Sequence, residues 1–376
     1  FANDRGTRIH TACEEFINGT VPDLAPEADK HFGPQLDLLR VMHADGLVSL
    51  EGEWGMNREW EPTDYKTAWL RLKLDAMVMH DDRTATVIDF KGLPLETLLP
   101  TPTGWTTMGG VAVGDELFAR DGTVCSVKAK SQIKHLPNYR LTFDDTTVIE
   151  CDEEHLWVLV SGEVRCVTDL IVGDLIPVAE PVQLPAQDLL IDPYVLGVWL
   201  ADGKHSSGEV SKPDQFIWEE IQRRGYKVSH DYNDGNEKCQ ARTVLGLRGQ
   251  LRELDILGDK HIPQKYLRGS YQQRLDLLRG LFDGDGSANH KRKQAVLSTT
   301  RRDFADQVCE LLLSLGQRPL VSPCKGHGFG KDVEFFAVSF RPRGLNPFSL
   351  PRKADKVLRS WGPGESWRRR IVQIDK

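Results

Sequence analysis

Residues 195–203 read Val195-Leu-Gly-Val-Trp-Leu-Ala-Asp202-Gly203, and residues 278–286 read Leu278-Arg-Gly-Leu-Phe-Asp-Gly-Asp285-Gly286. The two stretches form an internal repeat with an offset of 83 residues, from Asp202 to Asp285. Each copy is followed by a strand-like run and then by apolar residues at helical spacing. A repeated supersecondary unit predicts two similar halves that pack around a shared core.

Small residues lie four apart in each copy, at Gly197 and Ala201 in the first and at Gly280 and Gly284 in the second. Small side chains at this spacing let two helix backbones approach closely. If the two motif helices pack there, their aspartates arrive side by side at the C-terminal ends. Two carboxylates so close repel each other unless divalent cations lie between them. A shared metal site beside two scissile phosphates predicts hydrolysis of both strands of a DNA duplex.

The repeat resembles the LAGLIDADG homing endonucleases in their single-chain, two-repeat form. The resemblance implies catalytic and metal-binding roles for Asp202 and Asp285, with Mg²⁺ or Mn²⁺ as the cofactor. It also implies a catalytic role for Lys260 in Lys260-His-Ile-Pro, although a surface lysine before a turn would read the same. DNA would lie across two β-saddles and be contacted in the major groove. The basic residues near the motifs are candidate DNA contacts: Lys204, Lys291, Arg292, Arg301 and Arg302.

Residues 92–185 alternate short apolar runs with Gly and Asp turns, which predicts a compact all-β domain. The stretch resembles the N-terminal part of an intein splicing (Hint) domain, and Asp152-x-x-His155 matches the block whose histidine polarises the first scissile peptide bond. An intein begins with Cys or Ser, whose side chain attacks the preceding carbonyl carbon. Gly92 stands at that position, so the resemblance predicts that splicing is blocked at its first step. An ordinary β-barrel domain would share the turn pattern.

Residues 1–91 end in two strictly alternating runs that predict two strands. Asp89 and Lys91 are two apart and share one strand face, and Asp75 lies on the preceding strand. Carboxylates that hold Mg²⁺ or Mn²⁺, with a lysine that orients water, suit phosphodiester cleavage. Together with His10 on an earlier helix, the set resembles the centre of the RecB-like exonucleases of the PD-(D/E)xK superfamily. An exposed polar strand face would alternate in the same way.

The net charge of −7 conceals a strong asymmetry along the chain. Residues 1–91 hold 10 Lys plus Arg against 17 Asp plus Glu, whereas residues 341–376 hold 10 against 3. The basic tail fits a phosphate-binding surface, although a solvated face would have the same composition. No run approaches the ~18 apolar residues of a membrane span. The 7 cysteines are scattered without a CxxC, which argues against a disulfide framework or zinc finger and for a reducing interior.

We therefore expect a multidomain α+β chain of four segments. Residues 1–91 form a truncated PD-(D/E)xK fragment, and residues 92–185 form part of an all-β Hint domain. Residues 186–352 form an αββαββα pseudo-dimeric endonuclease, and residues 353–376 return to an incomplete splicing domain. The ends at Phe1 and Lys376 predict a piece of a longer precursor.

The expected function is that of an intein-encoded endonuclease that cuts the intein-free allele of its host nuclease gene. Its expected partner is double-stranded DNA and not a membrane, and we expect a monomer in the cytoplasm of a bacterial host, encoded by a phage. Two alternatives stay open. The chain would be a splicing element whose decayed endonuclease only binds DNA, or a fragment of a RecB-like exonuclease.

Overall fold

The computed structural model describes residues 15–23, parts of 36–44, the backbone of four strands between 48 and 88, and 92–376 with gaps. The gaps are residues 129, 131–132, 134–136, 154, 212–213, 230–240, 290, 329–330 and 359–367. The chain divides into two units, which are 1–91 with 128–133 and 92–127 with 134–376. No helix in the described part of the chain is long and apolar enough to cross a membrane.

The first unit contains an antiparallel sheet of four strands in the order β2-β1-β3-β4. These strands are β1 (Val48–Met56), β2 (Pro62–Thr63), β3 (Leu70–Met79) and β4 (Ala85–Ile88). The two predicted alternating strands correspond to β3 and β4. Asp75 lies on β3, whereas His10, Asp89 and Lys91 fall outside the described residues. The nuclease centre expected in this unit therefore stays a prediction.

The second unit begins with short strands separated by turns, as the Gly and Asp pattern predicts. They are β5 (Leu98–Thr101), β6 (Gly104–Thr107), β7 (Glu116–Phe118), β8 (Val124–Ser126), β9 (Asn138–Phe143), β10 (Val148–Asp152), β11 (Leu156–Val158), β12 (Val164–Cys166) and β13 (Leu175–Pro177). The last strand of the chain, β20 (Arg368–Asp375), lies between β9 and β13 in the sheet order β10-β9-β20-β13. Leu141, Phe143 and Ile371 are buried in the core of this sheet. Strand β20 therefore returns to the strands of residues 92–185, which together with β20 are called the splicing-like part.

Between β13 and β20 the chain forms a mixed α/β part with its own core. Its helices are α1 (Pro193–Asp202), α2 (Gln215–Arg223), α3 (Leu247–Glu253), α4 (Gln264–Leu267), α5 (Tyr271–Gly284), α6 (Arg302–Ser314) and α7 (Pro351–Leu358). Its strands are β14 (Glu209–Ser211), β15 (Ala241–Thr243), β16 (Ser287–Asn289), β17 (Gln294–Thr299), β18 (Leu320–Gly328) and β19 (Lys331–Phe340). An antiparallel sheet β16-β17-β19-β18 packs Leu297 and Val338 into the same core as Val308 of α6.

Both motif helices begin at side-chain caps that satisfy their first amide groups. At α1, the Asp192 carboxylate accepts hydrogen bonds from the Tyr194 and Val195 amides, with Pro193 at the first helical position. At α5, Ser270 and Gln273 form a reciprocal capping box. These caps set where each helix starts, and therefore where its motif aspartate lies at the other end.

Helix α7 crosses the boundary that the sequence predicts between residues 352 and 353. Lys353 and Val357 are buried on α7, and Val357 belongs to the core of the α/β part. Leu350, Lys353 and Val357 recur at helical spacing, so one face of α7 packs inward. The α/β part therefore extends through α7. The sequence places the boundary too early because the many basic residues of this segment make its apolar face hard to recognise.

A buried arginine joins the splicing-like part to the α/β part. The Arg268 guanidinium donates to the Thr101 carbonyl at 2.8 Å and to the Gly104 carbonyl at 2.8 Å, at either end of the β5–β6 turn. It also pairs with Glu310 on α6 at 2.7 Å. Three directional contacts from one planar group hold this hairpin in a single orientation.

Candidate functional site

Helices α1 and α5 pack closely through their glycines. A Cβ atom on Gly197 would lie 2.4 Å from the Leu277 carbonyl oxygen, and one on Gly280 would lie 2.2 Å from the Tyr194 carbonyl oxygen. No real Cβ atom tolerates such distances, so only glycine fits at either position. The close approach that the spacing of small residues predicts is therefore present.

The crossing brings the two motif aspartates to neighbouring helix ends. Asp202 is the last residue of α1, and Asp285 caps the end of α5 with its amide bonded to the Leu281 carbonyl at 3.0 Å. A Cβ atom on Gly284 would lie 2.7 Å from Oδ2 of Asp202, so this carboxylate lies against the residue next to Asp285. Asp285 is exposed, and Asp202 is half-buried.

Lys260 lies at the same helix ends. Its Nζ donates to the Leu200 carbonyl at 3.1 Å and lies 5.0 Å from the centre of the Trp199 ring. Burial lowers the pKa of the Lys260 ammonium to about 8, while the negative charges of Asp285 and Asp202 act in the opposite direction. The structure therefore brings together all three residues that the sequence predicts to be catalytic.

Arg301 holds the backbone of the Lys260 segment. Its guanidinium donates to the Lys260 carbonyl at 2.7 Å and to the Asp259 carboxylate at 3.1 Å, and it also pairs with Asp303. On helix α6, which begins directly after Arg301, the Gln307 side chain accepts a hydrogen bond from the Ile262 amide at 2.8 Å. Arg301 was expected to contact DNA, but in this structure its donors are engaged within the protein.

The other predicted DNA contacts differ in their surroundings. Arg302 pairs with Asp306 at 2.9 Å, and Lys204 pairs with Glu209 at 3.6 Å. Both pairs have largely exposed lysine or arginine side chains, and exposed pairs of this kind are weak. Lys291 and Arg292 are exposed in the turn between β16 and β17. These four side chains remain accessible to a ligand.

A lysine that the sequence does not single out closes the end of the second motif helix. The buried Nζ of Lys353 lies within hydrogen-bonding distance of four carbonyl oxygens, at 2.6 to 3.0 Å, and shares its three N–H groups among them. The acceptors belong to Phe282, Asp283, Gly284 and Gly286. An ammonium at a helix C-terminus satisfies carbonyls that lack partners in the helix and opposes its dipole. Only the helical spacing of Leu350, Lys353 and Val357 could have indicated it.

Asp283 anchors α7 to both motif helices. Its Oδ2 accepts the Tyr194 hydroxyl of α1 at 2.9 Å, and its Oδ1 accepts the Ser349 and Leu350 amides at 3.0 Å each. Burial raises the pKa of the Asp283 carboxyl, and these hydrogen bonds with the Lys353 charge oppose that rise. Asp283 therefore fixes the backbone just before α7, the helix that carries Lys353.

The predicted splicing residues also lie together. The Gly92 amide donates to Oδ2 of Asp152 at 2.5 Å, and the Asp152 amide donates to the Gly92 carbonyl at 3.2 Å. The His155 amide donates to the Asp152 carbonyl at 3.3 Å, and the His155 ring packs edge-on against Trp157. A Cβ atom on Gly92 would lie 3.2 Å from the Asp152 carboxylate, so a side chain requires a small shift there.

The donor set at the motif aspartates fits a hard divalent cation. Mg²⁺ and Mn²⁺ prefer oxygen ligands, and two carboxylates on rigid helix ends supply them. Within the described residues no group of three or more His, Cys, Asp and Glu side chains could hold a metal ion. A cation at Asp202 and Asp285 would therefore complete its shell with water or with phosphate oxygens of a substrate.

Comparison with known proteins gives matches to parts of this chain. Residues 272–325 match the model described as a LAGLIDADG-like domain. A replicative DNA helicase DnaB from Mycobacterium intracellulare is 33% identical over 300 residues, which cover 70% of this chain and 49% of that protein. The chain thus spans about half the length of this curated relative.

Two solved structures give local matches. The MchDnaB-1 intein is 47% identical, with a TM-score of 0.22 over 23% of this chain and 66% of that chain. I-DmoI in complex with DNA and Mn is 14% identical, with a TM-score of 0.29 over 46% of this chain and 96% of that chain. The chain thus contains a LAGLIDADG-like domain and shares sequence similarity with an intein and with a bacterial replicative helicase.

Proposed function

We propose that this chain is an intein-type, metal-dependent DNA endonuclease that makes double-strand breaks at a specific site. One observation carries the proposal, which is the meeting of Asp202, Asp285 and Lys260 at the ends of two glycine-packed helices. Each aspartate belongs to one half of the internal repeat, so one chain provides one carboxylate for each strand of a duplex. A monomer therefore suffices for the reaction.

The residues divide the chemistry of phosphodiester hydrolysis among them. A bound Mg²⁺ or Mn²⁺ supplies Lewis-acid stabilisation of the phosphate and lowers the pKa of a water molecule. Asp202 and Asp285, at two neighbouring helix ends, would hold that cation. The Lys260 ammonium, held near both carboxylates, favours the negative charge that develops on the phosphate oxygens during attack. The exposed Lys204, Lys291 and Arg292 contact the phosphates of the flanking duplex.

We propose that the target is the uninterrupted host gene around the codons for Asp89-Phe90-Lys91. An insert that begins at Gly92 leaves this coding sequence on one side of its insertion point. Incubation of the protein with the uninterrupted gene and Mg²⁺, followed by mapping of the ends, tests the proposal. A double-strand cut at the junction supports it. Metal-independent specific binding without any cut would instead favour the decayed, DNA-binding alternative.

We further propose that splicing is blocked in this chain because Gly92 lacks a nucleophile. The hydrogen bond from the Gly92 amide to the Asp152 carboxylate supports the proposal that these residues correspond to the first splice junction of an intein. Gly92→Cys should form a thioester with the Lys91 carbonyl, which an added thiol would cleave. Electrophoresis after thiol treatment should show a break between residues 91 and 92 in Gly92→Cys but not in Gly92→Ala. No thiol-dependent break in Gly92→Cys would contradict the proposal.

A further inference from the structure

An arginine-lined cavity of about 310 Å³ lies between two sheets. One is the sheet β16-β17-β19-β18 of the second repeat, and the other is the sheet β10-β9-β20-β13, here called the splicing sheet. Its charged lining residues lie in the turn between β9 and β10, on β20, just before β18 and just after β19. They are Asp144, Asp145, Arg318, Arg341, Arg368 and Arg370. Four positive charges face two negative charges, so the lining carries a net positive charge. Concave basic surfaces of this kind attract anions.

Both aspartates of the lining already form ion pairs with arginines. Arg318 pairs with Asp144 and lies 3.3 Å from Asp145, and Arg369 lies 2.9 Å from Asp145. Burial alone would raise the pKa of the Asp145 carboxyl, but Arg369, Thr147 and Arg318 hold it below its ordinary value. Arg341 and Arg370 are the exposed arginines of the lining. The excess positive charge therefore lies on the solvent side.

The cavity opens on the face of the sheet that lies away from the helices. On β17, Ala295 and Leu297 are buried in the core, so Gln294 points to the opposite face. Gln294 and Ser339 line the cavity, and Ser339 is aligned with Val296 on that same outer face. The basic cavity therefore continues the outer surface of the sheet β16-β17-β19-β18 onto strand β20.

We infer that this cavity is a DNA phosphate-binding site that extends the duplex interface of the second repeat onto the splicing sheet. The inference rests on the proposed function, because it places a duplex across the outer face of the sheet. Arg341 and Arg370 contact phosphates there and carry no sequence information. Arg318 contributes by pairing with Asp144 and Asp145, which reduces the negative charge of the cavity wall.

Salt-dependent binding of non-specific DNA tests the inference without requiring cleavage. The probe is a mixed-sequence duplex of about 30 base pairs, which is about three helical turns and therefore long enough to cross both sheets. The double variant Arg341→Gln/Arg370→Gln should bind it about tenfold more weakly and reduce the slope of log affinity against log salt by about 2. The matched control Arg248→Gln/Arg252→Gln removes two exposed arginines from α3 and should keep the wild-type slope. Thermal melting verifies that both variants fold.

The outcomes separate this inference from the proposed function. A smaller slope for the cavity variant alone supports the site, even if the wild type cuts no DNA and the endonuclease proposal fails. Equal slopes for both double variants overturn the site, even if the wild type cuts its target. A lower melting temperature with unchanged binding also overturns it, because the arginines would then serve only the contact between the two sheets.

Discussion

The two repeats carry equivalent aspartates, but the structure supports the ends of their helices differently. At the end of α1, the Lys260 ammonium contacts one carbonyl and the Trp199 ring. At the end of α5, the Lys353 ammonium contacts four carbonyls. An ammonium has three hydrogen atoms to donate. Lys353 is therefore committed to the backbone, whereas Lys260 keeps donor capacity beside both carboxylates.

Internal symmetry of the sequence therefore does not impose the same role on both repeats. The second repeat holds its helix end through the contacts of Lys353 and Asp283. The first repeat presents Lys260 to the reacting groups. We therefore expect changes in the second repeat to reduce stability first, and changes at Lys260 to reduce cleavage first.

Removal of either motif carboxylate should have the largest effect and should not distinguish the repeats. Asp202→Asn and Asp285→Asn should each lower the rate of plasmid linearisation by about a thousandfold or more, because each removes a charge that holds the metal ion. The measurement follows supercoiled, nicked and linear forms of a plasmid that carries the target. Asp89→Asn is the control and should cut normally. Persistent nicking by only one of the two variants would show that the repeats act unequally.

Replacement of the two lysines should separate the repeats most clearly. Lys353→Met should reduce the free energy of unfolding by about 3 kcal/mol, because four buried carbonyls lose a charged donor. Lys260→Met should cost less than about 1 kcal/mol, because one hydrogen bond is lost and the buried stem still packs. Urea unfolding measures both, and plasmid cleavage should be lost in Lys260→Met. Equal destabilisation by the two variants would contradict the comparison.

The helix crossing should tolerate no added carbon. Gly280→Ala should reduce the free energy of unfolding by about 3 kcal/mol, because its methyl group would collide with the Tyr194 carbonyl of the other repeat. Gly249→Ala, in helix α3, is the matched control because nothing lies within 4 Å of its added carbon. The control should gain about 0.5–1 kcal/mol from helix propensity. If both alanine variants unfold at the same urea concentration, the two helices do not pack as described.

The contact between the second repeat and the splicing sheet should fail in acid. The pKa of Asp145 is lower in the folded chain than in the unfolded chain, so its contribution is complete above the unfolded value. That contribution is lost as the pH falls below about 4 and through the folded value. Asp145→Asn should flatten the acid side of the stability curve by about 1 kcal/mol. Asp255→Asn, at an exposed turn, is the control and should leave the curve unchanged.

The sequence predicted the motif helices because their information is local. Small residues four apart and an aspartate at each helix end lie within single stretches, and the structure brings them together as expected. Lys353 was missed because the repeat does not point to it. It lies 93 residues after Lys260, whereas equivalent positions of the two repeats lie 83 residues apart. The DNA contact of Arg301 stays a prediction, and the sequence shows no sign that its guanidinium also holds the Lys260 carbonyl, because charge alone does not say which acceptor a guanidinium reaches.

Local patterns in the sequence are enough to predict the repeat, the paired carboxylates, the glycine contact and the turn-rich segment that begins at Gly92. The positions of Lys260 near both aspartates, of Lys353 at the end of α5, and of Arg341 and Arg370 in one cavity become visible only in the folded chain. Periodicity depends on neighbours in the chain, so it is visible in the sequence. Hydrogen bonds and electrostatic interactions depend on distance in space. Residues far apart in the chain therefore form them only when the helices and sheets pack together.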